Sequence, residues 1–196
     1  MRLGPTAVRL RCGRGWAAGV DRIEEGLTRM AQSAPEFSIR SATATEAGAL
    51  ARSRADLFRE LNGSSGNVVA SDFESLCRAA FEASFAARAC VAWIAEVPEE
   101  LDPVGTLVLL TFPRLPTPKN PRTIEGYVLN VFVVSAWRHR GIASALVRSA
   151  IDYARSSGLA RIRLHATAAG QAVYASLGFV GRDDEMELDL AQTLPL

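Results

Sequence analysis

The sequence predicts a mixed α/β (α+β) fold that contains one antiparallel and one parallel pair of strands. The apolar runs Cys90 to Glu96 and Val104 to Phe112 are joined around Pro98 to Pro103 by a connection too short for a crossover, so they pair antiparallel. Tyr127 to Val134, a helical stretch from Gly141 to about Ser157, and Arg161 to Ala166 read as strand, helix and strand. That order makes a right-handed crossover and a parallel pair. The 196 residues suit one domain, for which ~100 to 200 residues is usual, and would be cramped as two.

Each element has a local reason. Phe37 to Ser41 alternates as a short strand. Thr43 and Glu46 stand at capping-box spacing and open a helix from about Thr45 to Leu61. Asn62-Gly63-Ser64-Ser65-Gly66-Asn67 is a loop, and Asp72 caps a second helix on which Phe73, Leu76, Ala80, Phe81 and Phe85 recur at helical spacing. After the antiparallel pair, Pro113, Pro116, Pro118 and Pro121 stiffen a loop that cannot be a central strand and sits outside the core. The strand Tyr127 to Val134 is apolar except at Asn130. The turn Ser135 to Arg140 leads into the helix from Gly141, which Gly158 stops. A short helix around Gln171 to Leu177 stops at Gly178, and a last strand runs from about Glu185 to Leu190.

With 48% hydrophobic and 22% charged residues the chain is globular rather than disordered. Its 22 basic and 21 acidic side chains leave a net charge of +1, which argues against a general nucleic-acid binder. Lys119 is the only lysine, an arginine bias that reflects codon usage before function. Cys12, Cys77 and Cys90 lie far apart without CxxC spacing, which suits neither a disulfide framework nor a zinc site. No metal is expected, and the setting is reducing and cytoplasmic. The longest nearly continuous apolar stretch, Val104 to Phe112, reaches roughly half of the ~20 residues that a bilayer span needs, so no membrane partner is expected.

Residues 1–35 stand apart, because Arg2, Arg9, Arg11 and Arg14 all precede the first acid, Asp21. That composition fits a disordered or loosely docked extension, an organelle transit peptide, or a start codon misplaced upstream of Met30. The expectation is an extension over 1–35 ahead of a main domain over 36–196.

Chemistry concentrates in Arg138-His139-Arg140-Gly141-Ile142-Ala143, between a strand and the first turn of a helix. The first backbone N–H groups of a helix lack intrahelical acceptors, and with the helix dipole they form an anion site that a glycine lets a phosphate approach closely. Arg138 and Arg140 add charge-assisted contacts to the same anion. A P-loop would need Lys-Ser/Thr after its second glycine, and a dinucleotide fingerprint needs G-x-G-x-x-G. Neither occurs, so the phosphate ligand is not an ordinary NTP or NAD.

Arg138-x-x-Gly141-x-Ala143 after an apolar strand, with Tyr174-Ala175-Ser176-Leu177-Gly178-Phe179 downstream, resembles the GNAT family of N-acetyltransferases. The resemblance covers roughly Phe37 to Leu190 and is strongest from Gly126 to Phe179. It implies a GNAT-like mixed, mostly antiparallel sheet whose parallel pair is splayed around acyl-CoA, with helices on both faces. It further implies acetyl-CoA as cosubstrate. The pantetheine arm would lie on the backbone of Val131, Phe132 and Val133, and the pyrophosphate on Arg138, His139, Arg140, Gly141, Ile142, Ala143 and Ser144. Many members carry an asparagine where this chain has only Thr167 to Gly170, and some carry a strand glutamate where Tyr127 stands.

Acyl transfer from a thioester to an amine needs an oxyanion donor, a neutral amine and an acid for the leaving thiolate. Tyr174 suits the acid, since a phenol near pKa ~10 faces a thiol near ~8.5, and the resemblance gives the matching tyrosine that role. A backbone N–H on the strand, that of Val131, is the candidate oxyanion donor. For the base the sequence offers two candidates. Glu125 would act through water, and as a strand-start acid it would also favour a cationic amine together with Asp183, Asp184 and Glu185. His165 sits at the carboxyl end of a parallel strand, where ligands of α/β sheets gather. Asn130 could orient a water or the amide of the arm, or be a satisfied core amide. His139 is an exposed loop residue.

The expected activity is acetyl transfer from acetyl-CoA to a primary amine of a small molecule or peptide, by direct attack in a ternary complex. The alternative is a non-catalytic acyl-CoA sensor or interaction module. The acceptor is expected between the Asn62 to Asp72 loop, the Pro113 to Pro121 loop and the end of the last helix. A homodimer is left open.

Overall fold

A computed structural model of the chain describes residues 36–62, 70–182 and 186. The predicted extension at 1–35, most of the Asn62 to Asp72 loop, the acids Asp183 to Glu185 and, apart from Met186, the predicted last strand lie outside those residues. The elements below all belong to the unit Phe37–Leu196.

Strand β1 (Ser38–Ser41) leads through a 3-10 turn (Ala44–Glu46) into helix α1 (Ala47–Asn62). Glu46 accepts hydrogen bonds from the Thr43 N–H at 2.8 Å and hydroxyl at 3.2 Å, the glutamate half of the predicted capping box. Helix α2 (Phe73–Ala86) follows with Asp72 at its N-cap position but without a side-chain cap bond. Its buried residues are Cys77 and Phe81, whereas Leu76 is 61% exposed. The predicted stripe is therefore rotated: Cys77, a small hydrophobe, packs inward where Leu76 and Ala80 were expected.

Strands β2 (Cys90–Glu96), β3 (Gly105–Pro113) and β4 (Ile124–Val133) continue an antiparallel meander in the order β1-β2-β3-β4. A second 3-10 turn (Ser135–Trp137) precedes helix α3 (Ile142–Ser156), which crosses over to strand β5 (Ile162–Arg163) parallel to β4, and helix α4 (Ala168–Ser176) completes the described elements. Gly158 and Gly178 end their helices in the left-handed region, as predicted stops should. The sheet is mixed and mostly antiparallel with helices on both faces, as expected.

Two cores flank the sheet. On one face Ile142, Leu146, Val147, Ala150 and Ala154 of α3 pack on Trp93, Leu107, Leu109 and Val128. On the other, Leu50 and Ala51 of α1 and Phe81 of α2 cover Ala92, Ile94 and Val108. Each fully buried leucine or isoleucine stabilises by about 1.5–3 kcal/mol relative to exposure, so the α3 stripe holds that helix's N-terminus firmly against the sheet.

Two departures from regular pairing shape the site. Thr106 pairs with Phe132 but Val108 with Leu129, so Leu107 alone faces both Asn130 and Val131, a β-bulge. Asn130 takes the left-handed conformation (φ +55°), which asparagine tolerates better than its apolar neighbours would. The parallel ladder is also shorter than the predicted strand Arg161 to Ala166. Only Gly126↔Ile162 and Tyr127↔Arg163 pair, after which β4 and β5 part.

Candidate functional site

The parting of β4 from the chain after β5 opens a cleft of about 530 Å³. Its walls are β4 at Val131 to Val133, the turn and first residues of α3, the end of α1, and α4. Every residue expected to contact the cofactor lines it except Arg140. Arg140 stacks over Trp137 instead, 4.5 Å from guanidinium carbon to ring centroid.

The anion cradle follows from backbone conformation. His139 (φ +63°) and Gly141 (φ +82°) are both left-handed, and they curl the loop sharply into α3. Gly141 is the N-cap, no side chain caps the helix, and nothing lies within 4 Å of where a Cβ at Gly141 would stand. The N–H groups of Ile142, Ala143 and Ser144 thus precede the first intrahelical bond, from Ala145 N to Gly141 O at 3.0 Å, and carry the positive end of the dipole. A phosphate fits this donor set and this open space.

Arg138 is engaged otherwise than the sequence suggests. Its Nη2 meets Glu60 Oε1 at 2.7 Å and Oε2 at 2.6 Å, and its Nε donates to the Val133 carbonyl at 2.8 Å. Val134 N–H bonds back to the carbonyl of Val104, just before β3, so by alternation the groups of Val133 turn away from β3 toward the cleft, where the arm was expected. The Val133 carbonyl is therefore held by Arg138 in this state.

Tyr174 stands on α4, packed edge-on against Phe179 with ring centroids 5.8 Å apart. Burial pushes its phenol pKa up, so the hydroxyl keeps its proton through neutrality. Gly170 sits one turn before it, and a Cβ there would stand 2.9 Å from Tyr174 Cε2. Gly170→Ala is expected to preserve or slightly raise the melting temperature, because alanine favours the helix by up to ~1 kcal/mol, yet to lower kcat about 10-fold by turning the phenol. Steady-state kinetics beside a melting curve checks both signs.

Glu125 is not the solvated strand-start acid that the sequence suggests. It is 3% exposed and lies among three guanidiniums: Arg161 Nε at 2.7 Å, Arg163 Nη2 at 2.6 Å and Arg114 Nε at 3.4 Å. Burial favours its protonated form, but the hydrogen bonds and charges of Arg161 and Arg163 together outweigh that and hold its pKa below the usual range. Such a carboxylate is a poor base and offers no negative field to a cationic amine. Its role is to tie the starts of β4 and β5 together. A carboxyl whose folded pKa is depressed stabilises above its unfolded pKa of ~4.3, and that stability is lost as pH falls through the folded pKa. Glu125→Gln should therefore cost about 3 kcal/mol at pH 7, the low end for breaking a buried pair because the Arg161 and Arg163 side chains are partly exposed, and progressively less on acidification. Denaturant unfolding at several pH values reads this directly.

His165 is exposed, does not line the cleft, and is hydrogen-bonded through Nδ1 to the Tyr127 hydroxyl. Val128 faces α3, so its neighbour Tyr127 points to the opposite face of the sheet. The pair spans β4 and β5 where they part. Asn130 is 3% exposed and donates through Nδ2 to Leu50 O at 3.2 Å and Thr106 Oγ1 at 3.4 Å, while its Oδ1 has no partner among the described residues. It clamps α1 to the bulge, and its amide is only half satisfied.

The sequence reading missed the α1 wall, Leu57, Glu60 and Leu61. Leu57 and Leu61 had a signal, since they follow the buried Leu50 at spacings of seven and eleven, which keep them on its helix face. Glu60 had none.

Comparisons with known proteins bear on the fold and the family. A GCN5-related N-acetyltransferase from Ralstonia eutropha superposes with a TM-score of 0.68 at 27% identity, covering 80% of this chain and 99% of that one. A predicted acetyltransferase with acetyl-CoA from Clostridium acetobutylicum gives 0.70 at 24% identity, covering 81% and 99%. Glucosamine-6-phosphate N-acetyltransferase from Arabidopsis thaliana gives 0.57 at 18% identity, covering 79% and 98%, a likeness of fold alone. Comparison with curated proteins yields no sequence match. The model of the acetyltransferase (GNAT) family matches residues 55–179, well over half of the 196, and the chain belongs to that family.

Proposed function

We propose that the protein transfers an acetyl group from acetyl-CoA to a primary amine of a small molecule or peptide, by direct attack of the amine in a ternary complex. The observation that carries this reading is the cleft, in which the open helix N-terminus at Gly141, the β4 backbone and the Tyr174 side chain line one continuous space. Acetyl-CoA would supply the activated thioester. The N–H groups of Ile142 to Ser144 hold its phosphates, and the backbone of Val131 to Val133 orients the arm, with a Val131 N–H toward the developing oxyanion.

The amine nitrogen bonds to the carbonyl carbon, the carbon–sulfur bond breaks, and the Tyr174 hydroxyl gives its proton to the departing thiolate sulfur. The proton shed by the amine passes to water, since His165, the candidate base of the sequence, stands outside the cleft with its Nδ1 on Tyr127. Glu125 has no part in proton transfer, and Asn130 acts by fixing the bulge.

Thermal shift tests the donor: acetyl-CoA at about 100 times its Kd adds about 2.7 kcal/mol, and no shift in the wild type would remove the proposal. A thiol-release screen over small amines and peptide N-termini then tests catalysis. Acetyl-CoA binding without turnover across a broad panel would favour the sensor reading instead.

A further inference from the structure

Glu60 is out of place in an anion pocket. It lines the same cleft as the uncapped N-terminus of α3, and a carboxylate there repels any phosphate that enters. Structural need does not explain it. The Glu60 side chain is 46% exposed and that of Arg138 37%, and an ion pair so open to solvent contributes little to folding. Nor does Arg138 depend on Glu60 to be held in position, since its Nε is anchored on the Val133 carbonyl at 2.8 Å and its guanidinium lies over Phe132, 5.8 Å from the ring centroid. What the pair does is occupy the terminal Nη2 of the one arginine among the described residues that lines the cleft, through two short bonds to one carboxylate.

We propose that Glu60 is a built-in competitor for the cofactor's pyrophosphate at Arg138. The inference rests on the acetyl-CoA reading above. Without cofactor, Glu60 holds the guanidinium and joins α1 to the loop after β4. A pyrophosphate seated on the α3 N-terminus carries more negative charge than one carboxylate and takes the guanidinium from it. Whenever the anion loosens, Glu60 retakes the guanidinium and so raises the anion's escape rate. The residue thus sets how tightly acetyl-CoA is held and how fast product CoA leaves, trading affinity for turnover.

The test is Glu60→Gln, which keeps an acceptor for Arg138 but removes the charge. Calorimetric titration of the full chain with acetyl-CoA is expected to show about 5- to 10-fold tighter binding than wild type, and stopped-flow displacement a CoA off-rate slower by a similar factor. Acetyl-pantetheine, which lacks the phosphates, should bind both proteins equally. In an Arg138→Gln background most of the gain should vanish. A Glu60→Gln or Glu60→Ala protein with a wild-type melting temperature that binds acetyl-CoA no more tightly, or binds acetyl-pantetheine more tightly as well, overturns the proposal and leaves the activity untouched. A wild type that binds no acetyl-CoA overturns both.

Discussion

Tyr174→Phe is expected to lower kcat about 100-fold while leaving the acetyl-CoA Kd within a factor of about two. The size follows from what the hydroxyl supplies. General acid catalysis contributes ~10² to 10⁴, and the lower figure applies because a thiolate with a conjugate pKa near ~8.5 is already a fair leaving group. The sparing of affinity follows from geometry, since phenylalanine keeps the edge-on contact with Phe179 and removes only an oxygen with no hydrogen bond among the described residues. The pH profile separates this role from a packing role. Burial raises the Tyr174 pKa, and the group works protonated, so wild-type turnover should hold on the alkaline side past the range in which an ordinary phenol ionises before it falls. The phenylalanine variant should lose that descending limb together with its rate. A variant that keeps wild-type kcat would remove Tyr174 from the chemistry.

Gly141→Val carries the second large effect, this time on binding. At φ +82° an L residue costs roughly 1–2 kcal/mol, and a β-branched one more, so the apo protein should melt several degrees lower. No atom stands near the position of the new Cβ, hence the side chain itself meets no obstacle and instead fills the space in front of the α3 N-terminus. Acetyl-CoA affinity is expected to fall at least 100-fold, about 2.8 kcal/mol. Calorimetry at a temperature where the variant is folded checks the affinity apart from the stability. Binding within 10-fold of wild type would mean that the phosphates do not sit at this helix start.

Much of the fold was legible because its signals are local. Cys90 to Glu96 has both ends right, since an apolar run bounded by turn residues is a complete description of a buried strand. Gly158 and Gly178 stop their helices for a reason written in one residue. The errors are equally physical. β4 begins at Ile124 rather than Tyr127 because a glutamate at a strand start reads as surface, and only Arg114, Arg161 and Arg163, distant in sequence, make it an interior residue. Arg161 and Arg163 alternate toward one face of the sheet, a hint that something anionic lay opposite. The open helix start at Gly141, where the phosphates are proposed to sit, was visible as a glycine. The engagement of Arg138 by Glu60 was not, because it joins residues 78 apart that share no pattern.

The short seam between β4 and β5 has a dynamic consequence. Among the described residues two ladder pairs join these strands, against eight between β3 and β4. Cooperative opening follows the weakest boundary, so the segment carrying α4, beyond the Glu125 tie at the start of β5, is expected to open at a lower free energy than the meander. Tyr174 rides on that segment, whereas the proposed phosphate cradle is held by α3 to the core. The two halves of the proposed chemistry thus belong to parts of the molecule with different local stability, and a ligand touching both would be felt first as slower hydrogen exchange along α4.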